Sequence, residues 1–340
     1  MHLLLLVSHL LQASLTIESR GHDAAEDLLI ELRRLGIEGP FVEAAARIPE
    51  AIRIARTSDP IDAAELWSRV GFIHHSFWLL DTAVAEYRFG LRQLVGQPSS
   101  VVEVLLLSNL ATLYLEVGGH PHEAELLCRR GLIVAVKIES LGSSGRLRLL
   151  LGLAGVRREM GDPEGARKLC GEVLDSAGTS PIHRIHRGAA LSILGRIALE
   201  HRDPSGALNY FDGSISEIGL AYGHDHPDLI PAQLGLATAY NQLRQWDRSD
   251  AAARQALELA ERFGSTNALL GRILEALALT KRHTGMGREA KDLEARARSL
   301  AASEGSVAKR LQVHVSDLRP LEIGTLPLDS IVSCLALAQR

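Results

Sequence analysis

Apolar side chains recur along most of the chain at spacings of three and four residues, which is the spacing of one face of an α-helix. The pattern comes in pairs of segments joined by short polar turns. A small residue returns in the second segment of each pair every 41 or 42 positions, at Ala83, Ala124, Ala166, Ala207, Ser249 and Ala290. A fixed period of this length predicts stacked helix pairs rather than one closed core.

The residues within each pair follow the same arrangement of large and small side chains. In the first pair, Gly71 and Ala83 are the small residues, and Trp67 and Tyr87 are the large ones. Small residues are expected where two helices cross closely, and large ones fill the space beside the crossing. The spacing therefore predicts an antiparallel helix pair in each repeat.

The turns between the paired helices agree with this register. Asp162-Pro163 and Asp203-Pro204 each place a side-chain acceptor at the N-cap and a proline at the first helical position, three residues before the returning alanine. Pro121 occupies the same place in the second repeat. Three turns therefore predict the start of the second helix.

The segment from Trp67 to Gly90 resembles the tetratricopeptide pattern, in which Trp-x2-Leu-Gly-x2-Tyr is followed by Ala-x3-Phe. The segment Gly223-His224-Asp225-His226-Pro227 resembles the longer form of this repeat found in kinesin light chains and many bacterial proteins. The resemblance implies an all-α, right-handed superhelical solenoid with six repeats over residues 63–303. It does not imply a kinesin subunit, because no charged heptad pattern precedes the repeats.

The flanking segments are interpreted separately. Residues 1–21 are apolar, and we expect a helix that caps the stack rather than a signal peptide, because no basic residue precedes the apolar run. Residues 22–62 are expected to form a degenerate repeat, with a leucine stripe from Leu28 to Leu35 and a second helix from Ala44 to Ala55. Residues 304–340 predict a short strand and an apolar helix. They are interpreted as a cap, with a partner-docking segment or the remnant of a further domain as alternatives.

Composition and charge exclude several classes of partner. Hydrophobic residues make up 46% of the chain and aromatic residues only 4%, which favours closely packed helices over a β-sandwich. The net charge is −4, which argues against nucleic acid and anionic membranes as partners. Three scattered cysteines indicate a reducing cytoplasm. The excess of arginine over lysine is typical of a GC-rich, bacterial genome.

Motifs for catalysis, metals or cofactors are not supported by their context. Gly285 to Ala290 matches a dinucleotide fingerprint in letters, but it is expected to follow a helix rather than a strand. The close histidine pairs have no cysteine or carboxylate at ligand spacing, so no metal site is predicted. His74 takes an aromatic core position and is expected to be packed and hydrogen-bonded. No pair of acidic residues is spaced as an acid/base couple. We therefore expect neither a cofactor nor an enzyme.

The tetratricopeptide resemblance implies that the first helix of each pair lines a concave groove. The groove-facing residues that it implies are Ser68, Phe72, His75, Ser108, Thr112, Glu116, Arg148, Arg158, Ser192, Arg196, Glu200, Thr238, Asn241 and Gln242. Arg148, Arg158 and Arg196 would form a basic patch suited to an acidic peptide or a C-terminal carboxylate. The alternative is that these arginines are surface residues paired with Glu159 and Glu200.

The function predicted from these observations is a non-catalytic, cytoplasmic scaffold or adaptor that binds a peptide or helix of a protein partner in its groove. The alternative is a regulatory sensor, in which a bound peptide acts on a separate output protein. A receptor for chaperone C-termini is not expected, because the basic residues of that carboxylate site are replaced by Ser68 and Phe72.

Overall fold

A computed structural model describes residues 24–38, 41–77, 79–117, 120–138, 143–263 and 267–308. The predicted cap at residues 1–21 lies outside the described residues. The same holds for the strand and helix predicted beyond residue 308. These three expectations, and the boundaries assigned to residues 22–62 and 63–303, stay predictions.

The described residues form fifteen α-helices and contain no strand. Consecutive helices pack in adjacent pairs, as the period predicts. Their bounds are α1 Ala24–Glu38, α2 Phe41–Ala46, α3 Ile48–Ala55, α4 Pro60–Ser76, α5 Leu80–Gln93, α6 Val101–Val117, α7 Pro121–Val136, α8 Ser143–Glu159, α9 Pro163–Ser176, α10 Pro181–Glu200, α11 Pro204–Tyr222, α12 Leu229–Gln242, α13 Trp246–Phe263, α14 Asn267–His283 and α15 Gly287–Ala308.

The small residue that returns in every repeat is buried at all six positions. Ala83, Ala124, Ala166, Ala207 and Ser249 are fully buried, and Ala290 is 1% exposed. Each lies near the start of the second helix of its pair. A short side chain at this position lets the two helix axes approach closely. The 41- or 42-residue period in the sequence therefore marks the buried contact between the two helices of each pair.

Glycines in the first helices show how tight these contacts are. A Cβ atom added to Gly71 of α4 would lie 2.8 Å from the ring of Tyr87 in α5. A Cβ added to Gly195 of α10 would lie 2.7 Å from the ring of Phe211 in α11. No side chain fits at either distance. The predicted alternation of large and small residues is confirmed in these pairs.

The predicted helix starts are confirmed as well. The Asp162 carboxylate accepts a hydrogen bond from the Gly165 amide at 2.9 Å, and the Asp203 carboxylate accepts one from the Gly206 amide at 2.8 Å. Pro121 begins α7, but its N-cap residue makes no side-chain hydrogen bond. All three turns therefore place a proline at the first helical position, and in two of them an aspartate side chain caps the helix.

The segment before the repeats differs from the expected helix pair. The leucine stripe is confirmed for Leu28, Leu29 and Leu32, which are all 3% exposed, whereas the side chain of Leu35 lies outside the described residues. The expected single helix from Ala44 to Ala55 is wrong: α2 ends at Ala46, and α3 begins at Ile48. Pro49 explains the break, because it has no amide proton to donate to the preceding turn and its ring crowds that turn.

The chain divides into two compact units, with the boundary between Leu153 and Ala154 in α8. We call the described residues up to Leu153 the N-terminal unit and those from Ala154 to Ala308 the C-terminal unit. Each is described by itself. Among the described helices, none is both long and apolar enough to cross a membrane.

Candidate ligand-binding surface

The predicted groove residues of the N-terminal unit are withdrawn from solvent. Those whose side chains are described are at most 4% exposed: Ser68, Phe72 and His75 on α4, Ser108 and Thr112 on α6, and Arg148 on α8. Glu116 lies in α6, and its side chain is outside the described residues. Most of the short side chains bond locally. The Thr112 hydroxyl, for example, donates to the Ser108 carbonyl at 2.9 Å.

A buried polar row connects three first helices of this unit. The Asn109 side-chain amide donates to Ser68 Oγ at 3.4 Å, and its carbonyl oxygen accepts a hydrogen bond from Arg148 Nη2. We call Ser68, Asn109 and Arg148 the buried row. The pKa of the Arg148 guanidinium is lowered to about 9, mainly by burial, and the charge of Arg69 acts in the same direction. At neutral pH Arg148 is therefore a buried cation that donates a hydrogen bond to the side-chain amide of Asn109.

The predicted residues of the C-terminal unit are more varied in exposure. Ser192 and Asn241 are buried, whereas Glu200 and Gln242 are exposed. Asn241 joins two helices, because its amide donates to the Ala276 carbonyl at 3.1 Å and its oxygen accepts from the Thr280 hydroxyl at 2.9 Å. These bonds indicate a structural role for Asn241.

Arg158 is held by two carboxylates. Its Nη1 lies 2.5 Å from Glu200 Oε1, and its Nη2 lies 3.0 Å from Glu159 Oε1. These are the two acids that the alternative interpretation assigned as partners of the basic patch. For Arg158, that pairing is present in the structure.

Arg196 differs from Arg158, although both belong to the same unit. It lies one turn before Glu200 on α10 and is partly buried, but it has no hydrogen-bond acceptor or ion pair among the described residues. The pKa of Arg196 is lowered to about 9, mainly by burial and also by the positive charges of Arg158 and Arg272, against the opposing charges of Glu159 and Glu200. The predicted grouping of Arg148 with these arginines stays a prediction.

Arg272 on α14 also acts electrostatically on Arg196, and the sequence analysis did not include it. Burial lowers the pKa of Arg272, and the charge of Arg158 lowers it further. One signal could have found it: Arg272 lies six residues before the small residue Ala278, as Arg148 lies six residues before Ala154. We call Arg158, Arg196 and Arg272 the arginine cluster.

The other motifs that the sequence analysis weighed for cofactor binding, metal binding or catalysis can also be compared with the structure. Gly285 and Gly287 lie where α14 ends and α15 begins, so no strand precedes the apparent dinucleotide fingerprint. The His74 ring is hydrogen-bonded to Glu86 at 2.7 Å, as predicted for a packed histidine. Within the described ranges, no group of three or more His, Cys, Asp or Glu side chains is placed to hold a metal ion.

Comparison with solved structures identifies the fold. NprR in complex with its cognate peptide NprX matches with a TM-score of 0.66 at 16% identity, over 98% of this chain and 92% of that one. A Rap protein complexed with competence and sporulation factor matches with a TM-score of 0.62 at 12% identity, over 85% and 89%. The apo form of the quorum sensor NprR from B. thuringiensis matches with a TM-score of 0.57 at 14% identity, over 88% and 97%.

The chain has a tetratricopeptide-like repeat fold. The predicted all-α fold class and the predicted resemblance are thus confirmed. No protein-family model and no curated protein matches the sequence. The 42-residue subtype and the bacterial origin stay predictions.

The tetratricopeptide-like fold explains why the arginine cluster can form from residues far apart in sequence. Arg158, Arg196 and Arg272 lie on α8, α10 and α14, which are first helices of their pairs. Stacking brings first helices together, since α12 packs against both α10 and α14. Thr238 and Gln242 lie one turn apart on α12, between the helices that carry Arg196 and Arg272. The C-terminal unit thus presents a polar surface built from three consecutive first helices.

Proposed function

We propose that this chain is a non-catalytic protein-interaction module, a bacterial cytoplasmic adaptor that binds a peptide or helix of a partner protein. The binding surface is the one formed by α10, α12 and α14. The observation that carries the proposal is Arg196, a partly buried cation with no acceptor in the described structure. A ligand that supplies an acceptor would remove an unfavourable feature of the free protein.

We place the first contact in the C-terminal unit because its predicted residues include exposed side chains. Glu200 and Gln242 are exposed, and Thr238 is partly exposed. The predicted residues of the N-terminal unit whose side chains are described are buried. A peptide can reach the former without any rearrangement of helices.

Two of the compared structures support a peptide as the ligand. The Rap protein was solved with competence and sporulation factor, and NprR was solved with its cognate peptide. Their sequences are at most 16% identical to this chain. At this identity the comparison shows a shared fold, and it supports the proposed function by analogy alone. The arginine cluster provides the argument that comes from this chain itself.

The proposal is tested by selecting binders from a random peptide library displayed on phage, with the intact chain as bait. The selected peptides are then measured by fluorescence anisotropy against Gln242→Trp, which places a large side chain on the proposed surface. Gln255→Trp is the matched control, because Gln255 is also exposed but lies on the second helix α13. We expect Gln242→Trp to weaken binding by about tenfold or more and the control to leave it unchanged. Equal affinities in both variants would place the peptide elsewhere.

A second candidate is a peptide-responsive sensor that acts on a separate output protein. The compared quorum sensor NprR favours it, through the fold alone. The two candidates differ in what the peptide does to the chain. Small-angle X-ray scattering with and without a selected peptide separates them: an adaptor keeps its scattering curve, and a sensor changes it.

A further inference from the structure

Four successive first helices end in the C-terminal unit with the same hydrogen-bonded motif. In each, a backbone amide beyond the helix donates to the carbonyl five residues before it: Asp162 to Arg157 at 2.8 Å, and Asp203 to Ala198, Gln245 to Tyr240 and Met286 to Lys281 at 2.9 Å. This bond is typical of the Schellman motif, which requires a left-handed backbone at the residue before the donor. We call the turns at residues 160–162, 201–203, 243–245 and 284–286 the turn edge.

The left-handed position is filled in two different ways along the turn edge. Gly161 and Gly285 take it in the outer turns, with φ of 78° and 84°. Arg202 and Arg244 take it in the two turns between them, with φ of 60° and 58°. A side chain makes this conformation costly, whereas glycine adopts it freely. The motif therefore forms without arginine, and arginine at this position is strained.

The two strained arginines receive no compensating contact from the rest of the described chain. Both side chains are exposed, and neither guanidinium has a hydrogen bond or an ion pair among the described residues. By contrast, five other exposed arginines of this unit have a carboxylate within 4.0 Å: Arg254, Arg262, Arg282, Arg296 and Arg298. Strain that is not offset within the chain points to a contact outside it.

The turns of the edge lie side by side. The helix α12 packs against α10 and against α14, so the ends of these three helices meet at one edge of the stack. Trp246, directly after the third turn, stacks on His283 at the end of α14 with ring centroids 4.2 Å apart. Neighbouring packed helices lie about 10 Å apart. Arg202 and Arg244 are thus about one helix spacing from each other.

The charges at this edge indicate the class of partner. Two acids beside the arginines are already engaged, because Asp203 caps α11 and Glu200 pairs with Arg158. Asp247, in the first turn of α13, is exposed and would repel a dense row of phosphates. A guanidinium fork matches a single carboxylate in a bidentate pair. The edge is therefore better suited to the carboxylates of a protein than to nucleic acid.

We propose that the turns after α10 and α12 form a second interaction surface, on which Arg202 and Arg244 bind carboxylate side chains of an acidic segment of a partner protein. This surface lies at the ends of the first helices and not on the faces to which the proposed function assigns peptide binding. The inference therefore goes beyond that function and does not depend on it.

The test uses three fluorescein-labelled probes and the intact full chain. The first is an amidated peptide rich in Glu, the second has Gln at every Glu position, and the third is a single-stranded DNA of similar length. Each is titrated by fluorescence anisotropy into the intact chain and into Arg202→Gly/Arg244→Gly. The matched control is Arg296→Gln/Arg298→Gln, which removes the same two charges. Both control residues are exposed on α15, about 15 Å along the helix from the turn edge.

We expect the intact chain to bind the Glu peptide about tenfold or more tightly than the Gln peptide. Arg202→Gly/Arg244→Gly should abolish this preference, and the α15 control should keep it. Arg202→Lys/Arg244→Lys should retain part of it, because an ammonium group keeps the charge but loses the fork. The DNA should bind more weakly than the Glu peptide.

Thermal unfolding of the same variants separates a lost surface from a lost fold. Glycine relieves the left-handed strain, so Arg202→Gly/Arg244→Gly should melt at a higher temperature than the intact chain although it loses the probe. Gly285→Arg is the converse variant, because it adds a third arginine to the row at a strained position. It should melt at a lower temperature and bind the Glu peptide more tightly.

Four results would overturn the proposal. Equal binding of the Glu and Gln peptides by the intact chain would remove the surface. Equal weakening in the α15 control would show that only net charge matters. A lower melting temperature for Arg202→Gly/Arg244→Gly would show that the arginines stabilise the helix ends and carry no strain. Tighter binding of the DNA, lost in the same variant, would assign the row to a polyanion instead of an acidic protein.

Discussion

The two units of this protein use the same repeat in different ways. In the N-terminal unit, the polar residues of the first helices are buried and joined in the row of Ser68, Asn109 and Arg148. In the C-terminal unit, the first helices carry exposed polar residues and the arginine cluster, in which Arg196 and Arg272 have no ion pair among the described residues. We therefore expect a ligand on the first helices of the C-terminal unit rather than on those of the N-terminal unit.

The difference shows that a position in a repeat does not by itself define a site. The same first-helix face holds a buried guanidinium at Arg148 and a partly exposed one at Arg196. What separates them is the local supply of acceptors, because Asn109 bonds to Arg148 and no side chain in the described part of the chain does so for Arg196. A ligand is expected where a withdrawn charge lacks its acceptor.

The largest expected effect comes from breaking the buried row. Asn109→Ala removes the amide that accepts from Arg148 and leaves a buried cation without that bond. We expect a loss of about 3 kcal/mol in the free energy of unfolding, measured with urea. In the C-terminal unit, Gln242→Ala is the matched control, because that amide is exposed, and it should cost less than about 0.5 kcal/mol.

Replacing both members of the pair sharpens this prediction. The double variant Asn109→Leu/Arg148→Met removes the buried charge together with its acceptor. It should be less destabilised than Asn109→Ala, since no unpaired group is left. A double variant that loses as much stability as Asn109→Ala would contradict a structural role for the row.

The packing of the C-terminal repeats gives the next effect. Gly195→Ala would place a methyl group 2.7 Å from the Phe211 ring, so the ring or the helices must move. We expect a loss of about 2 kcal/mol in the free energy of unfolding. Gly171→Ala on α9 is the control, because nothing lies within 4 Å of the added atom. That variant should gain about 0.5 kcal/mol from helix propensity, and equal losses in both variants would contradict the account.

A buried acid in the C-terminal unit predicts a dependence on pH. Asp228 is fully buried, neither carboxylate oxygen has a hydrogen bond among the described residues, and burial raises its pKa well above 3.8. Burial also lowers the pKa of His226 to about 4, so the ring 3.8 Å away is neutral at neutral pH. The folded chain therefore keeps a proton that the unfolded chain loses above pH 3.8.

It follows that this group stabilises the fold at low pH and that the contribution is lost as pH rises towards the raised pKa. Over that window the contribution of Asp228 to the free energy of unfolding should fall by about 1.4 kcal/mol for each pH unit. The lowered pKa of His226 contributes in the opposite sense below its ordinary value of 6.5, so the effect of Asp228 is read from a comparison with a variant of that residue. Asp228→Asn removes the titration, so its stability relative to the intact chain should increase with pH. Parallel stability curves for the two proteins between pH 4 and pH 7 would show that Asp228 titrates normally.

The smallest effect concerns the caps. Asp203→Ala removes the acceptor for the Gly206 amide at the start of α11 and should cost about 1 kcal/mol. Ser180→Ala is the control, because Ser180 is an N-cap residue whose side chain makes no capping bond. Thermal unfolding compares the two, and equal melting temperatures would argue against capping by Asp203.

Much of the fold could be predicted from the sequence because the same pattern of small, large and capping residues recurs in successive helix pairs. The buried position of Ala83 and its equivalents, the glycine contacts and the acidic caps all depend on residues close together in the chain. The break between α2 and α3 was missed, although Pro49 marks it. An apolar pattern on both sides of that proline was interpreted as one helix.

The candidate site could be predicted only in part. Arg158 and Arg196 follow from the repeat resemblance. Arg272 does not, because it lies on α14 and the first helix α12 separates it in sequence from Arg196 on α10. The burial of Ser108 and Thr112 was not predicted either. Their hydroxyls bond to carbonyls of their own helix, at Leu105 and Ser108, which lets short polar residues be buried without a distant partner. Whether a polar side chain is satisfied depends on such contacts and cannot be seen in a periodic pattern.

The most direct test of the difference between the units is hydrogen–deuterium exchange of the intact chain, with and without a peptide selected from the phage library. The account predicts new protection in α10, α12 and α14, and unchanged exchange in α4 and α6. Arg196→Gln should lose the new protection at the same peptide concentration. Protection confined to α4 and α6 would contradict the account, because it would place the ligand on the unit whose polar residues are already buried.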